Sequence, residues 1–192
     1  MRFIEKDRIQ LDKILNDLDI YVLDFIKILE KHSAYTIVSG YVSILFGRAR
    51  GTEDIDIFIA STTKEKLKNF YEELEDRGYW CLNADDADSI YEYLSSGLAV
   101  RFAKKGETIP NFEVKIALKR RDKETLKDII TVVTKNGELR ISSLERQIAF
   151  KRYYLKSDKD LEDAAHIEEI FKNNLDYSKI KAIKTMLEHE KS

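Results

Sequence analysis

The chain has 192 residues, 43% of them hydrophobic and 10% aromatic, enough for a packed core in one domain or a small domain with a helical appendage. Lys plus Arg (33) against Asp plus Glu (35) leaves a net charge of −2, so no global field drives the chain onto nucleic acid or membrane, and only a local basic patch stays open. The single cysteine, Cys81, excludes an internal disulfide and a cysteine-based zinc cluster, and His32, His166 and His189 show no ligand spacing. No apolar run approaches the roughly 18 residues of a membrane span, and the charged N-terminus is unlike a secretory signal, so a cytoplasmic protein without a membrane partner is expected.

Residues 8–32 carry apolar side chains at Ile9, Leu11, Ile14, Leu15, Leu18, Val22, Leu23, Ile26 and Leu29. Spacings of three and four predict one long amphipathic helix across a sheet. A β-branched run, Thr36-Ile37-Val38, then breaks at Ser39-Gly40. An apolar helical segment follows (Tyr41, Val42, Ile44, Leu45, Phe46), then a basic loop, Gly47-Arg48-Ala49-Arg50-Gly51. The next strand carries Asp54-Ile55-Asp56 ahead of Ile57, Phe58 and Ile59. Strand side chains alternate, so Asp54 and Asp56 share a face, roughly 6–7 Å apart, while Ile55 and Ile57 turn to a core. Two such carboxylates repel each other and resist burial, and a hard divalent cation is the usual compensation. The glycine upstream lets backbone approach a phosphate, and the helix behind it aims free N–H groups at an anion. This is a nucleotide-handling layout.

Thr62-Thr63-Lys64-Glu65 reads as a capping box for a helix through Arg77, ended by Gly78, and Tyr79–Leu82 as a short strand. Ala84–Ser95 is expected to be a helix. Its Asp85, Asp86 and Asp88 lack the spacing of a calcium loop and read as helix N-terminal charges. Ala99–Phe102 and Phe112–Leu118 read as strands joined through a turn at Lys104-Lys105-Gly106. Glu113 and Lys115 share a face of the second strand, which by itself fits an exposed edge as well as a cleft. The basic cluster Lys119, Arg120, Arg121 and Lys123 fits a solvated surface or an RNA-backbone contact. Strands around Thr131–Val133 and Leu139–Ile141 follow, with Asn136-Gly137 as their turn. Ser142-Ser143-Leu144-Glu145 is a second capping box, Ser157-Asp158-Lys159-Asp160 caps a further helix, and a last helix covers about 178–187.

Ser39-Gly40, a helix and Asp54-Ile55-Asp56 resemble the signature of the polymerase-β-like nucleotidyltransferase superfamily: a Gly-Ser or Gly-Gly pair, a spacer of about ten residues, and Asp-x-Asp on a strand. The fuller string GRARGTEDID is similar to the AbiEii/AbiGii-type, minimal nucleotidyltransferase branch. Tyr41 departs from that pattern, standing where a small residue is expected, and leaves Ser39 to supply the hydroxyl. The resemblance implies an α+β fold: a twisted mixed sheet flanked by helices over residues 1–141, with a helical C-terminal region over 142–192. It implies Asp54, Asp56 and a third carboxylate, Glu113, as catalytic and Mg²⁺- or Mn²⁺-holding residues. Ser39, Gly40, Arg48, Arg50, Lys115, Lys151, Lys159 and Asp160 would serve the nucleotide. The element Lys151 … Lys159-Asp160-x-x-Asp163 resembles the branch's lysine and Lys-Asp-x-x-Asp pattern, with Asp160 and Asp163 as positioning groups. The implied reaction moves an NMP from an NTP to an acceptor hydroxyl, RNA or tRNA, in a toxin that has a cognate antitoxin. A catalytically silent nucleotide- or partner-binding protein, and a small-molecule or protein acceptor, stay open beside it.

Overall fold

Strict alternation in one strand decides which side of the molecule is core. Ile55, Ile57 and Ile59 are buried on one face of the strand Asp54–Ile59, and Asp54, Asp56 and Phe58 are half-buried on the other. The computed structural model describes residues 1–189. In chain order the strands are β1 (Arg2–Glu5), β2 (Arg8–Gln10), β3 (Tyr35–Ile37), β4 (Asp54–Ile59), β5 (Tyr79–Cys81), β6 (Val100–Lys104), β7 (Asn111–Ile116), β8 (Ile129–Thr134) and β9 (Gly137–Ser142). They form one nine-stranded mixed sheet in the order β1-β2-β8-β9-β3-β4-β7-β6-β5, with β2–β8, β3–β9 and β4–β7 parallel. The helices are α1 (Asp17–Leu29), α2 (Gly40–Leu45), α3 (Lys64–Asp76), α4 (Ala87–Ser95), α5 (Arg120–Lys127), α6 (Leu144–Ala149), α7 (Asp158–Phe171) and α8 (Tyr177–His189). The expected class, a twisted mixed sheet with helices, is the observed one.

The isoleucine face of β4 packs on α1. Phe25 of α1 stacks on Phe112 of β7 with centroids 3.8 Å apart, and Phe70 of α3 meets Phe25 and Phe102 edge-on. Each such aromatic buries 150–250 Å², so this cluster is a main anchor of the sheet. The core is continuous from Ile9 to Leu187, and Ile148, Ala164, Ile167, Phe171, Ile180 and Ile183 belong to it.

The expected helix over 8–32 is half right. Residues 8–10 are strand β2, paired with β1 and β8, and the helix starts only at Asp17. Ile9 and Leu11 are buried while Ile14 is 96% exposed, so the helical spacing through residue 14 was coincidental. The real start is set by a capping box: Asn16 accepts the Asp19 N–H, and Asp19 Oδ2 accepts the Asn16 N–H at 3.0 Å. Two smaller shifts follow from local hydrogen bonding. Gly137 lies in strand β9 rather than the turn, pairing with Thr134, so Lys135 and Asn136 make the connection. The cap of α6 is Ser143, whose hydroxyl accepts the Arg146 N–H, one residue later than the capping-box pattern suggested.

After α6 the chain continues as a π-helical turn, Phe150–Leu155, which ends at Lys156 with φ 65°. Its wider spacing lets Lys151 point inward.

Tyr41 is fully buried in α2, and its hydroxyl donates to Asp19 Oδ1 at 3.0 Å. The tyrosine that interrupts the glycine motif is therefore a core anchor between α2 and α1. Replacing it, Tyr41→Phe, leaves a lone pair of a buried carboxylate unanswered. We expect a loss of about 1–3 kcal/mol in urea unfolding with an unchanged m-value.

Candidate active site

Three carboxylates lie on the face of the sheet opposite the Phe25 stack. Asp54 and Asp56 are i and i+2 on β4, and parallel register sets Asp56 beside Glu113 of β7. The same register sets Lys115 beside Phe58, and β6 adds Arg101 opposite Glu113. The three carboxylates have different partners. Glu113 Oε2 accepts from Arg101 Nη2 at 2.7 Å and Nε at 3.1 Å, and its Oε1 accepts from Lys115. Burial pushes the Glu113 carboxyl up, but Lys115 and Arg101 outweigh it and hold it below the usual range. Neither Asp54 nor Asp56 forms an ion pair among the described residues. Burial, then the charges of Asp54 and Glu113, push Asp56 up to about 6, against the milder pull of Lys115 and a hydrogen bond from Ser39.

Ser39 precedes α2 with φ 65° and ψ −140°, a conformation that favours glycine. Gly40 is needed for a different reason. A Cβ there would lie 3.1 Å from both terminal nitrogens of Arg50, so the arginine lies flat across the glycine.

The basic loop is held from the other side. Asp163 of α7 has no exposed surface and receives Arg48, Arg50 at 2.7 Å and Lys151 at 2.8 Å. Arg48 also bonds Glu162 and donates to the Lys159 carbonyl at 2.9 Å, and Lys151 lies 3.4 Å from Asp160. Of the residues expected to serve the nucleotide, Arg48, Arg50, Lys151 and Asp160 are thus gathered into one ion cluster, while Lys159 is exposed outside it. Desolvation works against the Asp163 carboxylate, yet the three cations hold it below its ordinary range.

Two cavities meet the carboxylate pair. One, of about 280 Å³, is walled by Ser39, Asp56, Phe58 and Lys115 of the sheet side, and by Arg121, Thr125, Arg146, Gln147, Phe150, Lys151 and Tyr154 of the helices. The other is open, about 770 Å³, and runs along Arg48, Arg50, Glu53, Asp54, Lys159 and Glu162.

No family model and no curated protein matches this sequence. Solved structures do. The antibiotic-resistance factor ANT(2'')-Ia aligns over 90% of this chain and 94% of its own, with 16% identity and a TM-score of 0.55. ANT(2'')-Ia in complex with adenylyl-2''-tobramycin aligns over 90% and 98%, with 13% identity and a TM-score of 0.56. A nucleotidyltransferase-like protein from Paracoccidioides brasiliensis reaches 17% identity over 79% and 74%, but its TM-score of 0.49 is too low to weigh. The fold is that of a nucleotidyltransferase.

On this nucleotidyltransferase fold, sequence reasoning missed Arg101, Thr125, Arg146 and Tyr154. Arg101 was visible only as the polar position of a short strand. Thr125 and Arg146 carried no signal, because their place on the cavity wall depends on how α5 and α6 return to the sheet. Asp54 and Asp56, without an ion pair among the described residues, offer a hard cation oxygen donors, which fits Mg²⁺ or Mn²⁺. Glu113, beside Asp56 in register, accepts from Arg101 on Oε2 and from Lys115 on Oε1. Among the described residues no group of three His, Cys, Asp or Glu forms a ready-made metal cage.

Two outcomes follow from the electrostatics. A carboxylate raised from 3.8 to about 6 costs folding free energy that is absent below its ordinary pKa and complete above its folded one. Asp56→Asn should therefore stabilise the protein by about 1–3 kcal/mol at pH 8, and by nearly nothing at pH 4, in denaturant titrations at both. Asp163 has the opposite sign: its contribution is present above the ordinary pKa and fades as pH falls through the lowered one. Asp163→Asn leaves buried Lys151 and both arginines uncompensated, and should cost about 3–5 kcal/mol at pH 7.

Proposed function

We propose that the chain transfers a nucleoside monophosphate from an NTP to an acceptor hydroxyl. The observation that carries this reading is the Asp54–Asp56 pair: same-face carboxylates without ion-pair partners among the described residues, each opening on a different cavity of a nucleotidyltransferase fold. Asp56 borders the narrow cavity with Ser39 and Lys151, which suits the nucleotide. Asp54 borders the wide, open one. Asp54 and Asp56 would hold Mg²⁺ or Mn²⁺, which when bound neutralises triphosphate charge and makes the acceptor hydroxyl more acidic.

The chain's own residues do the remainder. The Ser39 hydroxyl and the backbone N–H groups at Gly40 face phosphate oxygens, and Arg50, flat over Gly40, fixes that approach. Lys151, oriented by Asp163, supplies a buried positive charge at the same cavity. Phe150 and Tyr154 offer the base an apolar wall. Glu113 holds Lys115 and Arg101 beside the reacting centre, where they offset the charge of a leaving pyrophosphate and an incoming acceptor. The AbiEii-like loop favours RNA, tRNA included, as acceptor, and with it a toxin role and a cognate antitoxin.

The test is transfer of label from each α-labelled NTP, with Mg²⁺ or Mn²⁺, to cellular RNA and to protein. Label on RNA is expected, reduced by more than about 100-fold in the Asp54→Asn/Asp56→Asn double variant. No label on any acceptor, with NTP binding intact by calorimetry, would replace the transferase with a silent nucleotide-binding protein.

A further inference from the structure

Beyond the carboxylates the same sheet face continues outward over β7, β6 and β5. Register puts Arg101 of β6 beside Glu113, and Trp80 of β5 opposite Ala103, on that face. The Leu82 N–H donates to the Arg101 carbonyl at 2.8 Å, which sets Leu82 opposite Arg101 and makes Trp80 its diagonal neighbour, roughly 7–8 Å away. From Asp56 to Trp80 is three strand spacings across and two residues along, roughly 16 Å.

Both outer side chains are fixed and accessible. Arg101 has 49% of its side chain exposed, although its Nε and Nη2 are held by Glu113. Trp80 is 36% exposed, and its indole N–H donates to the Glu107 carbonyl at 3.0 Å. Lys115, 37% exposed, adds a second cation at the inner end. With Glu113 set against Arg101 and Lys115, this strip carries net positive charge. A fixed cation followed by an exposed aromatic ring, beginning at the reacting carboxylates, is the pairing that binds a phosphodiester and stacks the base beside it. It is poorly matched to a polyamine acceptor, which Arg101 would repel. Past Trp80 the surface cavity includes Glu75 and Asp85, so the favourable strip ends there. Its length suits about two nucleotides.

We propose that Arg101 and Trp80 form the acceptor platform, taking the single-stranded 3′ end of an RNA so that its terminal hydroxyl reaches Asp54 and Asp56. The proposal rests on the nucleotidyl-transfer reading for its chemistry, but its binding can be read without turnover. Trp80 is the sole tryptophan, so intrinsic fluorescence reports on this spot alone.

A short single-stranded RNA is titrated into the wild-type protein and Arg101→Gln, with NTP alone and tobramycin as controls. Quenching by RNA and by neither control is expected, with affinity falling at least about 10-fold in Arg101→Gln and the salt slope reduced by about 0.7. Trp80→Phe should retain RNA labelling and Trp80→Ala should raise the KM for RNA, with the Kd for NTP unchanged in both. RNA labelling without wild-type quenching would overturn the platform and leave the transferase standing. Quenching without label on any acceptor would uphold the platform and remove the transferase. Label on tobramycin rather than RNA would overturn the acceptor class.

Discussion

Like charges on a half-buried sheet face must be answered, and the manner of the answer organises this molecule. Three carboxylates are brought together by the parallel pairing of β4 and β7. Glu113 is answered locally by Lys115 and Arg101. Asp54 and Asp56 are not, and Asp56 shows the consequence in a carboxyl raised to about 6. An apolar substitution there would remove the repulsion, yet the strand keeps both acids at the meeting point of two cavities. On the proposed reading, electrostatic strain at this site is the cost of a place for cations and phosphates inside a well-packed scaffold.

The two halves of that scaffold are tied at charged points as well as through the core. Asp163 joins the loop after α2 to α7 and to the π-turn through Arg48, Arg50 and Lys151. Asp128, at the end of α5, receives Ser143, Arg146 and Lys179 at 2.6 Å from α8. Both clusters flank the narrow cavity. Basic residues that looked available for phosphate along the chain are in part committed to these ties, and they act by placing Gly40, Lys151 and the cavity wall.

This chain shares its fold with the ANT(2'')-Ia structures. One of those holds an adenylylated tobramycin. On the proposed reading, a guanidinium beside the carboxylates and a tryptophan further out give the acceptor side of this chain its chemistry. Arg101 and Glu113 form that boundary together, since the same hydrogen bonds that quiet the acid aim the base.

Alternation and short motifs were enough to read the strand Asp54–Ile59, the Ser39-Gly40 break and the cap at Ser157, because each depends on neighbours within a few residues, while the mixed sheet with helices was implied by the family resemblance. Strand β2 fits a helical pattern because Ile9 and Leu11 suit either period, and only pairing with β8 decides between them. Tyr41 looked like a flaw in the phosphate motif until Asp19, 22 residues upstream, was found to receive its hydroxyl. The sequence by itself determined which residues carry charge and which faces they take on their own strands and helices. Tertiary structure alone decided which charges meet: Glu113 with Arg101, Asp163 with three cations, and Asp56 with no ion-pair partner among the described residues. Coulomb and desolvation energies depend on distance and burial between segments far apart in the chain, and no local pattern encodes them.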